Sequence, residues 1–553
     1  MKESQYFDKH ELQSIKELKI GGSTGQLGGI AVQSDWVLPD SKAHRSIKFG
    51  DLERKLVGCT TGKQVRKLLV ELAKCNPQIP LWAINKNWFL PADIRIVVLN
   101  LKRGFLQDFS YILLGKVHEL VQKKEFAMGI VLLNELRHEA KRPEFSNDAV
   151  VNKLGKLIDW EKMNIEINMK LDSFWPKKPP VLKDPWTVKL KQMVAGINNE
   201  MPRLEIIENS FSMLLNMNDW SACTASDVKI SLMVEVSVIF ANMMLEMQQD
   251  AKNKNPLQRK REFWDFVLPI FSLNNQQQGS NPKGKNQNNR NNRRSSDSPA
   301  RFLATSMNIS VFKQFLEKMK DPFVITILLS MLSKIHNLLK DDSNMELSIE
   351  NFHLWPPSIS NVNGYNIKLV AESLNQLLKS GLKMYPMNIP WIKLQGDLEF
   401  VNGNNEAAMK YYVQSIIIAT EYCSLPIQRP LIDENIIRKM IKCSSNLGCY
   451  LQSAVLCQFV EEIDFTMAFK CLQEKAGNFQ DAMDAYYSLI WDSTLLEYII
   501  NLHYKKGEHK RKLQAISFIR QLELNSNNSD EIKQKAAAIR KTKFIRSLAN
   551  QYM

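Results

Sequence analysis

The chain has 553 residues, 44% hydrophobic and 24% charged, with 73 Lys and Arg against 58 Asp and Glu for a net charge of +15. That length exceeds one compact core, and 22 Gly with 21 Pro are too few for a collagenous or turn-rich all-β chain. The cationic excess admits nucleic acid or an acidic protein surface as a partner, although thinly spread charge is equally an ordinary solvated surface.

In chain order, residues 1–60 read as an irregular N-terminal segment with one helix, Glu11 to Ile20, followed by a glycine-rich stretch, Gly21 to Gly29. Residues 61–273 read as a helical repeat block, with sustained periodicity from Gly62 and a first-turn proline at Pro91. Within it, Tyr111, Leu114, Gly115 and Ala127 stand at the aromatic, leucine, glycine and alanine places of a tetratricopeptide (TPR) repeat, while Gln122 occupies the place of the turn glycine. The prolines of Trp175 to Trp186 forbid a continuing helix there. Residues 274–300 have no aromatic or large aliphatic side chain, so they cannot offset their ordering entropy and are expected to be a disordered Asn/Arg-rich loop. Residues 301–360 read as helices from Ser310 and a proline break, His353 to Ser360.

Residues 361–529 form the second, TPR-like block. A helical hairpin of this kind needs a glycine at its turn, a small residue where the second helix crosses the first, and an aromatic one turn later. Gly403, Ala408 and Tyr412 meet that requirement, and so do Gly477, Ala482 and Tyr486. Gly448 with Ala454 reads as a distorted repeat between them, and Gly507 as the end of a further helix. Such hairpins cannot bury their apolar faces alone, so the fold class is an all-α helical-hairpin α-solenoid of degenerate TPR type. Residues 530–553 form a basic C-terminal helix bearing Lys533, Lys535, Arg540, Lys541, Lys543 and Arg546, with an apolar stripe through Ala538, Ile545, Leu548 and Tyr552.

Chemistry is sparse. The stretch Val57 to Val65 has a phosphate-loop look, but its spacing is one residue short and Gln64 stands where magnesium needs a hydroxyl. The eight cysteines contain no CxxC pair and the eight histidines no HExxH motif, so neither a metal site nor a disulfide framework is expected. His503 and His509 flank Gly507 in a charged turn and read as solvated, as does the acidic cluster Glu461, Glu462 and Asp464. No cofactor and no catalysis are expected. The start, MKESQYFDKHEL, has no apolar signal region, and the most apolar run, Leu232 to Leu245, is too short to span a bilayer, so no membrane partner is expected. The candidate contacts to a partner or to phosphate are the six basic residues of the terminal helix and Arg290, Arg293 and Arg294 of the loop. For the terminal helix the alternative is capping of the array.

Three stretches carry a more specific likeness: LQSAVLCQFVEEIDFTMAFKCLQE, DAMDAYYSLIWD with LLEYIINLHYKKGE, and AAAIRKTKFIRSLANQYM. Together they resemble the C-terminal region of the Integrator complex subunit 8 family, with weaker collinear likeness through YILLGKVHELVQKKEF and HLWPPSI. Family members are longer, and the chain resembles their C-terminal half. The resemblance implies a nuclear, non-enzymatic scaffold. Its partners would be other Integrator subunits and protein phosphatase 2A, with RNA polymerase II reached indirectly, in transcription termination and small nuclear RNA processing. It also implies that some phosphatase contacts belong to the family's N-terminal portion. The competing expectation from the residues is a nucleic-acid-binding helical solenoid using the basic segments.

Overall fold

The structure, a computed structural model, describes residues 45–75, 90–145, 148–173, 185–194, 202–224, 231–249, 258–273, 309–341, 345, 353–425, 433–474, 486–520 and 529–553. The described residues contain twenty-two α-helices and no strand, with one isolated bridge between Ser272 and Tyr365. The protein is all-α. The first eleven helices are α1 (Arg45–Gly58), α2 (Gly62–Cys75), α3 (Ala92–Leu99), α4 (Phe105–Gln122), α5 (Phe126–Ala140), α6 (Ala149–Asp172), α7 (Pro185–Val194), α8 (Leu204–Asn216), α9 (Trp220–Thr224), α10 (Leu232–Gln249) and α11 (Gln258–Val267). The others are α12 (Ile309–Lys318), α13 (Pro322–Lys340), α14 (Ile367–Met384), α15 (Ile389–Val401), α16 (Asn405–Ala419), α17 (Glu434–Asn446), α18 (Tyr450–Leu456), α19 (Phe465–Gln473), α20 (Ser493–Lys506), α21 (His509–Ile519) and α22 (Asp530–Tyr552).

The chain divides into two units, residues 1–173 with 200–209, and residues 174–199 with 210–553. In the first, α1 pairs with α2, α4 with α5, and α5 with α6. Leu69, Phe109, Leu113, Leu133, Leu136 and Ile158 are among its buried core residues. Helix ends inside this core leave carbonyls that need donors. Lys116 of α4 donates to Val57 O and Cys59 O at the end of α1, both at 2.8 Å. Gln107 donates to Val98, Leu99 and Leu101 carbonyls at the end of α3. The segment with the phosphate-loop look is therefore a helix-to-helix connection whose carbonyls are held by a buried lysine.

One carboxylate in this unit is left without such help. Asp108 is buried in α4, and among the described residues no cation or donor reaches its side chain. Burial pushes its pKa from the usual 3.8 up to about 7. The folded state therefore holds a proton that the unfolded chain has lost, so Asp108 makes stability fall as pH rises from about 4 to about 7. Asp108→Asn is expected to be more stable than the parent at pH 8 by on the order of 2 kcal/mol and to match it near pH 4. Urea midpoints measured across that range check this; a constant difference between the two proteins would refute it.

The second unit stacks successive helices: α10 on α11, α13 on α14, α14 on α15, α15 on α16, α16 on α17, α17 on α18 and α20 on α21. α13 begins at an Asp321 cap that accepts from the Phe323 and Val324 N–H groups. By length and composition α13, not the α10 run singled out from the sequence, is the described helix long and apolar enough to cross a membrane. Twelve of its residues, from Val324 to Leu339, are buried, as in a core helix of a helical stack. The proline break after it is no mere spacer. Trp355 is buried, donates to Ser330 Oγ at 2.9 Å and stacks near Trp264.

Five hairpins turn in the same way. A left-handed residue stands at Lys124 (φ 63°), Asn218 (58°), Gly403 (80°), Gly448 (74°) and Gly507 (69°). At each, its N–H and the next N–H bond back into the preceding helix, as in Gly403 to Phe400 O at 3.0 Å and Asn404 to Glu399 O at 2.9 Å. Counting five residues from the left-handed position lands on Gly129, Cys223, Ala408 and Ser453, all buried and small. This corrects the reading of the first hairpin. Its turn residue is Lys124, two places after Gln122, so Ala127 is exposed and Gly129 is the crossing residue, with Ile165 Cδ1 3.1 Å from where its Cβ would be. Tyr111 is half-buried, and Leu114 and Gly115 are buried.

A Cβ at Gly403 would meet nothing within 4 Å, so only backbone strain opposes a side chain there. Gly403→Ala is expected to lose about 1 kcal/mol and Lys124→Gly to gain a similar amount, because left-handed backbone disfavours any Cβ. Equilibrium denaturation of both variants checks the opposite signs.

Other expectations are redrawn. The first described helix begins at Arg45, and the expected helix Glu11 to Ile20 lies outside the described residues, as do Gly21 to Gly29, residues 274–300 with Arg290, Arg293 and Arg294, and Gly477 with Ala482. After Tyr486 the chain tightens into a 3-10 turn, Tyr487–Leu489, so no α-helix runs from Tyr486 to Asp492. His503 is buried rather than solvated.

Candidate functional site

The helices from α16 to α22 share one core, running from Ala408 to Tyr552, and Ala408, Tyr412, Tyr486, Ile545, Leu548 and Tyr552, all singled out from the sequence, fall within it. Polar groups in this core bond across helices. Tyr412 of α16 is fully buried, its ring packed where a Cβ on Gly396 of α15 would come within 2.7 Å. Its hydroxyl donates to Asp397 Oδ1 at 2.8 Å, and Lys439 of α17 donates to the same oxygen at 2.8 Å. Burial, then the Asp397 charge and its hydrogen bond, raise the Tyr412 pKa and keep the phenol protonated. Three helices are thus joined through one carboxylate.

A second set has the outline of a catalytic relay. His503 Nδ1 lies 2.6 Å from Glu508 Oε2, and His503 Nε2 lies 2.6 Å from the Tyr487 hydroxyl. A carboxylate only accepts, so Nδ1–H donates to Glu508, while the Tyr487 hydroxyl bonds Nε2. Tyr487 and His503 are both buried, and among the described residues no exposed nucleophile bonds to them. Its effect is to tie the Tyr487–Leu489 turn to α20 and to the first residue after the Gly507 turn. Burial likewise pushes the Cys443 and Cys457 thiols up to about 12, which keeps them protonated. The seven cysteines with described side chains are free thiols, and no group of three or more His, Cys, Asp or Glu able to hold a metal occurs among the described residues.

The terminal helix is where sequence and structure part most. α22 turns back on the stack and packs against α16 and the Tyr487–Leu489 turn. Gln452 of α18 donates to Gln551 Oε1 at 2.8 Å and to the Tyr486 hydroxyl at 3.1 Å, and it accepts from the Tyr552 hydroxyl at 3.1 Å. The buried face runs through Ala536, Arg540, Phe544, Ile545, Leu548 and Tyr552, so Ala538 is exposed and not part of the stripe. Arg540, read from the sequence as a contact to a partner or phosphate, is 4% exposed. Its guanidinium donates to Ser488 O at 3.0 Å and Ile490 O at 2.9 Å. Lys541 is half-buried over the Trp491 and Phe459 rings, at 5.2 and 5.7 Å from their centroids. Lys533 and Lys535 pair along the helix with Asp530 and Glu531, and Arg546 reaches Cys423 O at 3.4 Å. Lys543 is exposed and makes no ion pair among the described residues. The basic helix therefore packs onto the stack through its two inward cations, Arg540 and Lys541, and its exposed cations are Lys535, Lys543 and Arg546, the last of which also reaches Cys423 O.

Hairpins with a shared turn, those from α16 onward sharing one core and overlaid by a returning helix, are the setting in which the chain meets its relatives. A family model described as "INTS8, TPR repeats" matches residues 46–552. The chain belongs to the Integrator subunit 8 TPR-repeat family. Integrator complex subunit 8 of Xenopus laevis is 30% identical over 520 residues, covering 93% of this chain and 50% of that protein. The Homo sapiens protein of the same name is 28% identical over 525 residues, with the same coverage of 93% and 50%. An Integrator complex subunit 8-like protein of Dictyostelium discoideum is 23% identical over 164 residues, 29% of this chain and 81% of that protein. The chain spans about half the length of the curated vertebrate relatives it matches. The family assignment, like the returning helix, reaches almost to the last residue.

Proposed function

We propose that the protein is a non-catalytic scaffold subunit of an Integrator-type complex in the nucleus. Its stacked hairpins hold other Integrator subunits, and through them help to keep protein phosphatase 2A near RNA polymerase II. There the assembly serves transcription termination and attenuation and small nuclear RNA processing. The observation that carries this reading is the family match over residues 46–552. The side chains best suited to chemistry, Asp397, Tyr412, Tyr487 and His503, are spent on helix-to-helix bonds, which fits a holding role. The chain spans about half of its vertebrate relatives, and its direct contacts in this reading are with fellow subunits, through which the phosphatase is held.

Affinity purification of the tagged full chain from nuclear extract tests the reading. Co-purification of Integrator subunits is the expected result. Recovery of the chain without any Integrator subunit or phosphatase would sink it.

A further inference from the structure

The α20–α21 hairpin carries residues that packing does not explain. Residues 503–512 read HYKKGEHKRK, with Lys505, Lys506, Lys510, Arg511, Lys512 and His509 set against one acid, Glu508. Lys505, Lys506, His509 and Lys510 are exposed and make no ion pair among the described residues. Glu508 is engaged elsewhere, 2.6 Å from His503 Nδ1 and 3.5 Å from Arg511.

Two departures from ordinary hairpin design mark this tip. His509, Lys510, Arg511 and Lys512 fill the first turn of α21, where the positive end of the helix dipole favours acids. Five residues after Gly507, where the other hairpins place Gly129, Cys223, Ala408 and Ser453, this one has Lys512. Its Nζ lies 4.6 Å from the centroid of the Tyr504 ring, and Tyr504 is 64% exposed. The tip is nevertheless rigid, because Gly507 closes onto Tyr504 O and Glu508 onto His503 O while His503 is pinned by Tyr487. A preformed cationic surface with an exposed aromatic is maintained against local helix preference.

We propose that this tip binds a single-stranded nucleic acid, with Lys505, Lys506, Lys510 and Lys512 at backbone phosphates and Tyr504 as a platform for a base. Lysine ammonium groups are point charges that tolerate varied phosphate positions, whereas a site for one phosphorylated side chain favours the fixed fork of arginine. The one arginine here is drawn to Glu508. An exposed aromatic among cations is the arrangement that accepts a base irrespective of sequence. Ribose and deoxyribose strands share this chemistry. The inference is independent of the scaffold role, and it uses residues other than the terminal-helix and loop cations.

Fluorescence anisotropy of the full chain with labelled 20-nucleotide oligouridylate and oligothymidylate, in 50 to 200 mM KCl, tests it. The parent is expected to bind with log affinity falling linearly against log salt, by about 0.7 per phosphate contacted. Lys505→Ala/Lys506→Ala/Lys510→Ala should lower affinity at 50 mM salt roughly tenfold or more and flatten the slope by about 2. Tyr504→Ala should weaken binding at least about fivefold with the slope unchanged. Lys535→Ala/Lys543→Ala on α22 should change neither quantity. The melting temperature of the triple variant should change little, because losing Lys505 and Lys506, which favour the C-terminal end of α20, is offset by losing Lys510, which opposes the α21 dipole. No binding at 50 mM salt, or equal binding by parent and triple variant, overturns the proposal. So does equal displacement by polyglutamate of matched charge together with indifference to Tyr504→Ala, which would make the tip a docking surface for acidic protein. A difference between the two oligonucleotides that persists with oligodeoxyuridylate in place of oligothymidylate assigns the sugar.

Discussion

Tyr412→Ala is expected to lower the stability of the C-terminal hairpins by about 3–5 kcal/mol, the range for removing a fully buried large aromatic. Tyr412 is 0% exposed, and its ring fills the space that Gly396 leaves open across the α15–α16 crossing. Truncation leaves a cavity that rigid helix backbones cannot close, and it removes one donor from Asp397, which is 3% exposed. Tyr412→Phe separates the two effects. It keeps the ring and should cost about 1–2 kcal/mol, the loss of one buried hydrogen bond to a carboxylate still held by Lys439. Gly396→Ala should be costly from the opposite side, because the new Cβ would come within 2.7 Å of the Tyr412 ring. A chain of two units need not unfold in one step. Hydrogen exchange of peptides from α15 to α17 is therefore the direct measurement. Equal loss of protection in Tyr412→Phe and Tyr412→Ala would mean that the hydroxyl, not the ring, holds the crossing.

The same crossing explains how much of the fold was legible. Where the left-handed turn residue is glycine, the spacing to the small crossing residue can be read directly, and Gly403 leads to Ala408 and Tyr412. Where the turn residue is Lys124 or Asn218 the signal is silent, since a left-handed lysine or asparagine looks like any surface residue. Counting from Gln122 then shifts the register by two and selects the exposed Ala127 over the buried Gly129. Irregular spacing hides the rest: Gly403, Gly448 and Gly507 share one turn geometry, but the intervals between them are unequal. The family likeness was legible because whole stretches carried it, and it needed no register. Which cations are free was not legible. A helix periodicity assigns arginine to the polar face, and only the position of the Ser488 and Ile490 carbonyls shows that Arg540 points inward. The Lys505 to Lys512 run was visible as charge, but its rigidity depends on the distant Tyr487, which no local pattern connects to His503.

Arg540→Ala is expected to destabilise the packing of α22 by about 2–4 kcal/mol, since charge-assisted hydrogen bonds to buried groups count for more than neutral ones. Ser488 O and Ile490 O would lose the Arg540 donor in the segment where the 3-10 turn ends, at a side chain only 4% exposed. Lys535→Ala and Lys543→Ala, at exposed positions, should stay within about 0.5 kcal/mol of the parent. Hydrogen exchange should show faster exchange in peptides covering 486–492 and 529–553 for Arg540→Ala alone. If Arg540→Ala leaves both peptides protected, its guanidinium is not the tie described, and it returns to the pool of cations available to a partner. The distinction governs how binding data on this helix are read. A partner lost on Arg540→Ala reports the detachment of α22 from α16, whereas a partner lost on substitution of Lys535, Lys543 or Arg546 with exchange unchanged reports a contact.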